Sequence, residues 1–378
     1  MAPWIHQRRS NISSQPVIAF HGSKYILYLL YTLAVMMLSC NISFFWRTRR
    51  KYPDIPMATI PTMTTATTAD REYVLGIFEE AGITLDDEAM EELPSWSHIK
   101  DYIGQKPIIY GLDSCSTFQN RIPAVERNLG CSGMFNSGTN LLTQLLKENC
   151  RIPERVAKYG IEATREAHGI RWQVPWGKHT HAKYREEHST EKAKLIQKES
   201  VLPVVTIRNP YHWMTTMCQH PYSAKWGNHQ LLCPHLVDLQ QNYIPLKVKY
   251  ADNRVDHHLS LAHLWNDWYK YYFDTTLYPR IIVRFEDLIF HAKNLTYQIC
   301  SCAGGEIRTD RPFQYIVDSA KDGPGHGTVR TGMVAAWIKY GKPLGPLAGY
   351  TRTDWDAAQR FLDPELMTTF DYKHPPGI

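Results

Sequence analysis

Residues 128–149 read NLGCSGMFNSGTNLLTQLLKEN, and this stretch decides the fold. Residues 128–135 predict a strand, and a glycine-containing turn follows it. Residues 139–149 predict a helix, because four leucines recur there at helical spacing: Leu141, Leu142, Leu145 and Leu146. A strand that passes through a glycine-containing turn into a helix is typical of α/β proteins.

The turn at residues 133–140 (Gly-Met-Phe-Asn-Ser-Gly-Thr-Asn) is a candidate anion site. Backbone N–H groups at such a junction point toward a ligand, and the helix dipole favours negative charge there. The alternative is that Gly and Ser serve only the geometry of the turn. No Gly-Lys-Ser/Thr is present, so the turn is not a nucleoside-triphosphatase loop.

The rest of the globular part repeats the alternation of strand and helix. Residues 71–102 predict short helices, and residues 107–110, 201–207 and 280–285 predict strands. Further helices are predicted from Pro210, over residues 260–273 and from about Asp287. This order predicts a parallel sheet covered by helices on both faces.

A second candidate contact for an anion follows the strand at residues 201–207. Arg208 stands at its carboxyl end, followed by Asn209 and Pro210, and Thr216 lies eight residues further on. An Arg and a hydroxyl two helical turns later can grip one phosphate together. The alternative is an Arg that binds a helix end or an acid.

Four segments together resemble the sulfotransferase family, in the order found there. They are residues 133–140, residues 204–210 with Thr216, residues 283–288 (Val-Arg-Phe-Glu-Asp-Leu) and residues 330–337 (Arg-Thr-Gly-Met-Val-Ala-Ala-Trp). The resemblance spans about residues 131–372. It implies a P-loop-like three-layer α/β sandwich with a central parallel sheet, which binds 3′-phosphoadenosine-5′-phosphosulfate as co-substrate without a metal.

The resemblance also implies roles for individual residues. The 5′-phosphosulfate would be held by the loop, at Asn136, Ser137, Gly138, Thr139 and Asn140. The 3′-phosphate would be held by Arg208 and Thr216, joined by Arg330 and Gly332. Glu286 and Asp287 would fix the junction between strand and helix rather than touch substrate.

Sulfo transfer to a hydroxyl needs a general base and a cation near the transferring group. Residues 176–181 read Trp-Gly-Lys-His-Thr-His, where similar soluble enzymes carry Lys-Thr-His. His179 or His181 is the candidate base, and Lys178 is the candidate cation. Glu148 is a second candidate base, because some Golgi members use an acid on this helix. The alternative is an exposed polar loop and a solvated glutamate.

Asn136 departs from the family pattern, which places Lys immediately before the Ser/Gly-Gly-Thr stretch. Loss of a charge-assisted contact at the transferring group weakens stabilisation of the transition state. We expect Lys178 to supply that charge from another segment. The alternative is a domain that binds nucleotide without catalysis.

The N-terminus predicts a membrane anchor. Residues 25–46 carry no charged side chain and would span about 33 Å as a helix, enough for a bilayer core. A cleaved signal peptide and a buried soluble helix are the alternatives. The prediction is a cytosolic tail at residues 1–24, a signal-anchor at 25–46, a Pro/Thr-rich stalk at 47–70 and a lumenal domain at 71–378.

This single-pass type II arrangement predicts a Golgi glycoprotein of the secretory pathway. The positively charged residues on the two sides of the segment are nearly equal in number. Their slight excess after the segment favours the opposite orientation. The threonine-rich stalk and the sequon at Asn294 favour the lumenal orientation.

Composition excludes some function classes. The net charge of +5 fits an anionic ligand but is too small for a nucleic-acid-binding protein. The eight cysteines match no zinc pattern. In the lumen some of the seven after Cys40 are expected to pair, with at least one left over.

The functional prediction is therefore a sulfotransferase acting on a hydroxyl or amine of a glycan, a protein or a small molecule. The alternative is a non-catalytic lumenal binding protein on the same fold. A P-loop kinase is disfavoured, because no Lys-Ser/Thr pair and no evident magnesium-binding acid is present.

Overall fold

The computed structural model describes residues 68–228, 231–250, 253–320, 332–342 and 349–376. The predicted cytosolic tail, signal-anchor and almost all of the stalk lie outside the described residues, as does Arg330. Within the described ranges no helix is long and apolar enough to cross a membrane. The first helix of the described ranges begins at Thr68, within the segment predicted as the stalk.

The helices and strands alternate along most of the chain. The helices are α1 Thr68–Glu80, α2 Asp87–Glu92, α3 Trp96–Ile103, α4 Ser114–Arg121, α5 Thr139–Asn149, α6 Pro153–Tyr159, α7 Pro210–Gln219, α8 Leu261–Asp274, α9 Phe285–Phe290, α10 Ala292–Cys302, α11 Met333–Tyr340, α12 Arg352–Phe361 and α13 Pro364–Thr369. The strands are β1 Ile109–Tyr110, β2 Asn128–Gly133, β3 Cys150–Arg151, β4 Ile170–Arg171, β5 Val201–Ile207, β6 Ala224–Trp226, β7 Leu246–Lys249, β8 Val255–His258, β9 Ile281–Arg284 and β10 Glu306–Ile307.

The central sheet has five strands in the order β1-β9-β5-β2-β4. Strands β4, β2, β5 and β9 run parallel, whereas β1 pairs antiparallel with β9. The predicted α/β class is confirmed, and the predicted parallel sheet holds for four of the five strands but not for β1. Strand β1 has only two residues and lies at the edge of the sheet, where an otherwise parallel sheet commonly carries an antiparallel strand.

One hydrophobic cluster lies on each face of this sheet. Helix α8 packs on one face, where Val205 and Ile282 point, and α5 and α10 pack on the other, where Val204 and Ile281 point. Every residue of β5 is buried, as expected of a central strand covered on both sides. Neighbouring residues of one strand therefore belong to opposite halves of the core.

A second sheet lies between α7 and α8 and was not predicted. Strands β6, β7 and β8 form an antiparallel sheet in that order. Its buried face, with Leu246 and Val248, joins the same cluster as α8. The burial of these strands alternates at every residue, but each has only three or four residues, too few for a clear period in the sequence.

Six cysteines form three disulfides: Cys115–Cys302, Cys150–Cys300 and Cys218–Cys233. Cys131 is free and buried in β2. This confirms that some cysteines pair and that at least one is left over. Three disulfides indicate an oxidising compartment of the secretory pathway.

Candidate active site

The carboxyl ends of three neighbouring strands meet at one edge of the sheet. Gly133 at the end of β2 pairs with Thr206 of β5, and Ile207 of β5 pairs with Arg284 at the end of β9. The predicted loop, Arg208 and the start of α9 therefore lie side by side. In open α/β sheets this edge is where ligands bind.

The loop between β2 and α5 is held closely against its neighbours. A side chain on Gly133 would place its Cβ 2.2 Å from Thr206 Oγ1, and one on Gly138 would come 2.3 Å from Phe285 Cδ2. Gly138 also has a φ of 89°, which favours glycine. Ser137 Oγ donates to the Met134 carbonyl and pairs with Thr206 Oγ1 at 2.9 Å. A side chain at either glycine would therefore clash with its neighbours, and the Ser137 hydroxyl stabilises the conformation of the loop.

Strand β2 ends at Gly133, two residues before the predicted end, so Met134 and Phe135 belong to the turn. Helix α5 begins at Thr139, as predicted, and Gly138 at its N-cap provides no capping side chain. The first N–H groups of a helix have no partner within the helix. The start of α5, at Thr139 and Asn140, therefore offers donors and the positive end of the helix dipole to an anion.

Asn136 is buried and adopts a left-handed backbone conformation, with a φ of 60°. Its amide nitrogen donates to the His220 carbonyl at 2.9 Å, beyond the end of α7. Asn tolerates this conformation better than most residues. These two features explain why Asn occupies a position where the resemblance leads one to expect Lys.

Arg208 reaches back from the end of β5 to the loop. Its guanidinium donates to the Asn136 carbonyl at 2.8 Å and to the Tyr340 hydroxyl at 2.9 Å. It also lies against the rings of Phe285 and Tyr340. Its Nε is buried without a hydrogen-bond partner in the described part of the chain. The guanidinium is fixed beside the loop, and its Nε–H is left for an acceptor.

Thr216 lies on α7, as the predicted spacing required. Its hydroxyl donates to the His212 carbonyl one turn earlier, which leaves its oxygen able to accept a hydrogen bond. Asn136 also contacts Met217, so this helix approaches the loop close to Thr216.

The side chain of Lys178 lies beside the first turn of α5. Its ammonium nitrogen donates to Asn140 Oδ1 at 2.9 Å and sits 3.2 Å from the centre of the Trp172 ring. The side chain is buried, and burial lowers the pKa of Lys178 to about 7. Lys178 is therefore a cation that reaches the loop from a separate segment and titrates near neutral pH.

His179 contacts the other end of the loop. Its Nδ1 lies 2.6 Å from the Gly133 carbonyl oxygen, so Nδ1 carries the hydrogen and Nε2 is left as an acceptor in the neutral ring. Burial lowers the pKa of His179 to about 4. The ring packs against Phe135, with 5.0 Å between centroids. A neutral imidazole whose Nε2 carries no proton has the protonation state of a general base.

His181, the other predicted base, has a different role. Its Nδ1 accepts a hydrogen bond from the Lys183 backbone N–H and so caps the short 3-10 helix at Ala182–Tyr184. The side chain is 4% exposed, and burial lowers its pKa to about 4. With Nδ1 used as an acceptor, His181 fits a structural cap better than a base.

Glu148 lies nine residues after Thr139, in the last turn of α5. It pairs with Arg311, with 2.6 Å between Oε2 and the guanidinium nitrogen. At about 1.5 Å per residue, some 14 Å of helix separate it from the loop. The structure does not bring Glu148 to the other candidate residues.

Glu286 and Asp287 fix the junction of β9 and α9, as predicted. Glu286 accepts from the Asn209 N–H and the Tyr372 hydroxyl. Asp287 binds the Arg284 guanidinium through both oxygens and accepts from the Ile108 N–H. Burial raises the pKa of Glu286. Both carboxylates are occupied within the fold.

In the fourth segment of the resemblance, residues 330–337, Gly332 is the N-cap of α11. Trp337 is buried against α9 and α1. Tyr340, one turn after Trp337, is the residue that contacts Arg208. Sequence reasoning missed Tyr340 and also Trp172. Each touches a predicted cation, but neither lies in a motif, and aromatic residues are usual in a core.

No cluster of three or more His, Cys, Asp or Glu side chains suited to a metal occurs within the described ranges. Comparison of the chain with family models, curated proteins and solved structures found no match.

Proposed function

We propose that this chain is a sulfotransferase that uses 3′-phosphoadenosine-5′-phosphosulfate. The observation that carries the proposal is the convergence of Lys178 and His179 on the two ends of one loop. Lys178 reaches Asn140 where α5 begins, and His179 reaches Gly133 where β2 ends. A cation and a neutral base then flank a helix N-terminus suited to an anion.

The donor set fits the two anionic ends of the co-substrate. At the phosphosulfate end, the uncapped start of α5 supplies N–H groups and Lys178 supplies charge. At the 3′-phosphate end, Arg208 supplies its Nε, which has no partner among the described residues, and Thr216 supplies its hydroxyl. The resemblance adds Arg330 and Gly332 to this end.

The chemistry requires one proton transfer and one substitution at sulfur. Nε2 of His179 accepts the proton of the acceptor hydroxyl as its oxygen bonds to sulfur. The bond between sulfur and the bridging phosphate oxygen breaks, and 3′-phosphoadenosine-5′-phosphate leaves. Lys178 and the start of α5 stabilise the charge that develops on the oxygens around sulfur. The step needs no oxidant, reductant or metal.

The proposal places the domain in the Golgi lumen behind a single-pass type II anchor at residues 25–46. The three disulfides support an oxidising compartment. Asn294 of the sequon is exposed and lies within α10, and Thr296 is 1% exposed.

A non-catalytic nucleotide-binding protein on the same fold is the second candidate. It is favoured by the uncharged Asn136 and by the Lys178 pKa near 7, since both lower the positive charge available at the sulfo group.

Calorimetric titration of the full chain in detergent with 3′-phosphoadenosine-5′-phosphate, without magnesium, tests the proposal. We expect binding that weakens at least about tenfold in Arg208→Met, because a charge-assisted contact is lost. Arg360→Met, on the exposed side of α12, is the matched control and should leave binding unchanged.

Absence of binding by a chain that unfolds cooperatively on heating would overturn the proposal. Binding followed by sulfo transfer from the labelled donor to a panel of hydroxyl acceptors would identify the enzyme. Binding together with no hydrolysis or transfer of the sulfo group on any acceptor would favour the non-catalytic candidate.

A further inference from the structure

The outer face of the sheet formed by β6, β7 and β8 is strongly basic. The exposed positions of these strands are Lys225, Lys247, Lys249, Val255 and His257. Three of the five are lysines, one is a histidine and none is acidic. The acidic residue of β8, Asp256, points to the buried face and pairs there with Lys183.

Two like charges lie directly opposite one another on this face. Lys225 lies opposite Lys247 across β6 and β7, and Lys247 has His257 on its other side in β8. Directly opposed like charges destabilise a sheet. The arrangement therefore works against the stability of the free protein, which points to a role in binding.

Within the ranges that the structure describes, no acidic side chain pairs with these lysines. Across the described parts of the chain, Lys225, Lys247 and Lys249 form no ion pair, while nearby Lys183 and Arg254 are paired with Asp256 and Glu187. The three ammonium groups are thus available together. Neighbouring strands lie about 4.8 Å apart and alternate residues of one strand about 6.8 Å apart, so the cations form a flat grid.

We propose that this face binds a linear acidic polysaccharide. An oxidising secretory compartment excludes nucleic acid as the polyanion. A membrane surface is disfavoured because Val255 is the only apolar side chain among the five, and no Trp or Phe is present to insert. A peptide strand would add to a sheet edge rather than to its face. A chain with a regularly repeated negative charge matches a flat grid of cations.

The basic face is connected to the loop site. Tyr222, two residues before β6, stacks on Phe135 of the loop with 5.3 Å between ring centroids. Phe135 in turn contacts His179. The disulfide Cys218–Cys233 ties the connection between β6 and β7 to the end of α7. A polysaccharide on this face would be held next to the candidate active site, but its binding does not depend on sulfo transfer.

The experiment measures binding of the full chain to heparin at physiological salt by surface plasmon resonance, with uncharged dextran as reference. We expect the triple variant Lys225→Gln, Lys247→Gln, Lys249→Gln to bind at least about tenfold more weakly, because three charge contacts are lost. The control triple variant Lys106→Gln, Lys158→Gln, Lys192→Gln removes the same charge from exposed positions on separate elements and should stay within about twofold of the parent chain.

Equal loss in both triple variants would overturn the proposal, since net charge alone would then explain binding. Polyglutamate that binds as tightly as heparin, and more weakly to the first triple variant, would overturn it in favour of an acidic protein. The same result with phosphatidylserine vesicles would overturn it in favour of a membrane. If the triple variant unfolds at a lower temperature than the parent chain, heparin binding by the single variant Lys247→Gln tests the proposal instead. It removes the central charge of the grid and should by itself weaken heparin binding, and unchanged binding would contradict the proposal.

Discussion

The ammonium nitrogen of Lys178 lies 2.9 Å from Oδ1 of Asn140, in the first turn of the helix that follows the loop. The loop itself carries Asn136 where the resemblance leads one to expect Lys. A cation therefore does reach this site, from a segment more than thirty residues later in the chain. This contact is what the expected compensation by Lys178 requires.

Lys178 should make nucleotide binding depend on pH. With its pKa lowered to about 7, the charged fraction of Lys178 in the free protein falls as the pH rises through 7. We expect the affinity for 3′-phosphoadenosine-5′-phosphate to drop up to about tenfold between pH 6 and pH 8 relative to Lys178→Arg, which stays charged. Calorimetric titration of both proteins checks this, and the ratio of their two affinities removes the effect of protonation of the ligand itself. A constant ratio would contradict the role of Lys178.

His179 and His181 should respond differently to substitution. His179→Asn removes the free Nε2 and should lower kcat by about 100-fold or more. His181→Asn keeps an acceptor for the Lys183 N–H and should leave kcat nearly unchanged. Because burial lowers the pKa of His179 to about 4, the acid limb of kcat/KM should appear only as the pH drops toward 4. Equal losses in the two variants, or an acid limb near 6.5, would exclude His179 as the base.

Asn136→Lys should destabilise the fold rather than restore the expected loop charge. A residue other than Gly or Asn in the left-handed conformation costs about 1–2 kcal/mol, and loss of the hydrogen bond to the His220 carbonyl costs about 1 kcal/mol more. Asn136→Gly is the control, since it keeps the backbone conformation and loses only the hydrogen bond. Urea unfolding should rank the parent first, Asn136→Gly second and Asn136→Lys last. Equal stability of the two variants would show that the backbone conformation is not what selects Asn.

The disulfides Cys115–Cys302 and Cys150–Cys300 should act cooperatively. Their partners in α10 are two residues apart, so either bridge alone still closes nearly the same long loop. Replacing one pair by Ser should cost about 4 kcal/mol, and replacing the second pair as well should cost about 5 kcal/mol more, from loop entropy. Chemical unfolding of the single-pair and two-pair variants measures both steps. A second step smaller than the first would contradict this account.

Local sequence determined much of the framework. Helix α5 and strand β5 have the predicted ends, and α7 and α8 begin within one residue of the predicted starts. These elements carry long apolar patterns or clear start signals, such as Pro210. The short strands β6, β7 and β8 escaped prediction because a three- or four-residue run has no measurable period.

The sequence by itself determined that a glycine loop, Arg208 and the Lys178–His181 segment exist, and which chemistry their side chains can perform. Only the tertiary structure decided which of them meet. It placed Lys178 on Asn140, His179 on Gly133 and Arg208 between the loop and Tyr340, and it gave Glu148 to Arg311. The physical reason is that contacts between distant segments follow from the order of strands in the sheet and from packing of whole elements, neither of which is encoded in the spacing of any one motif.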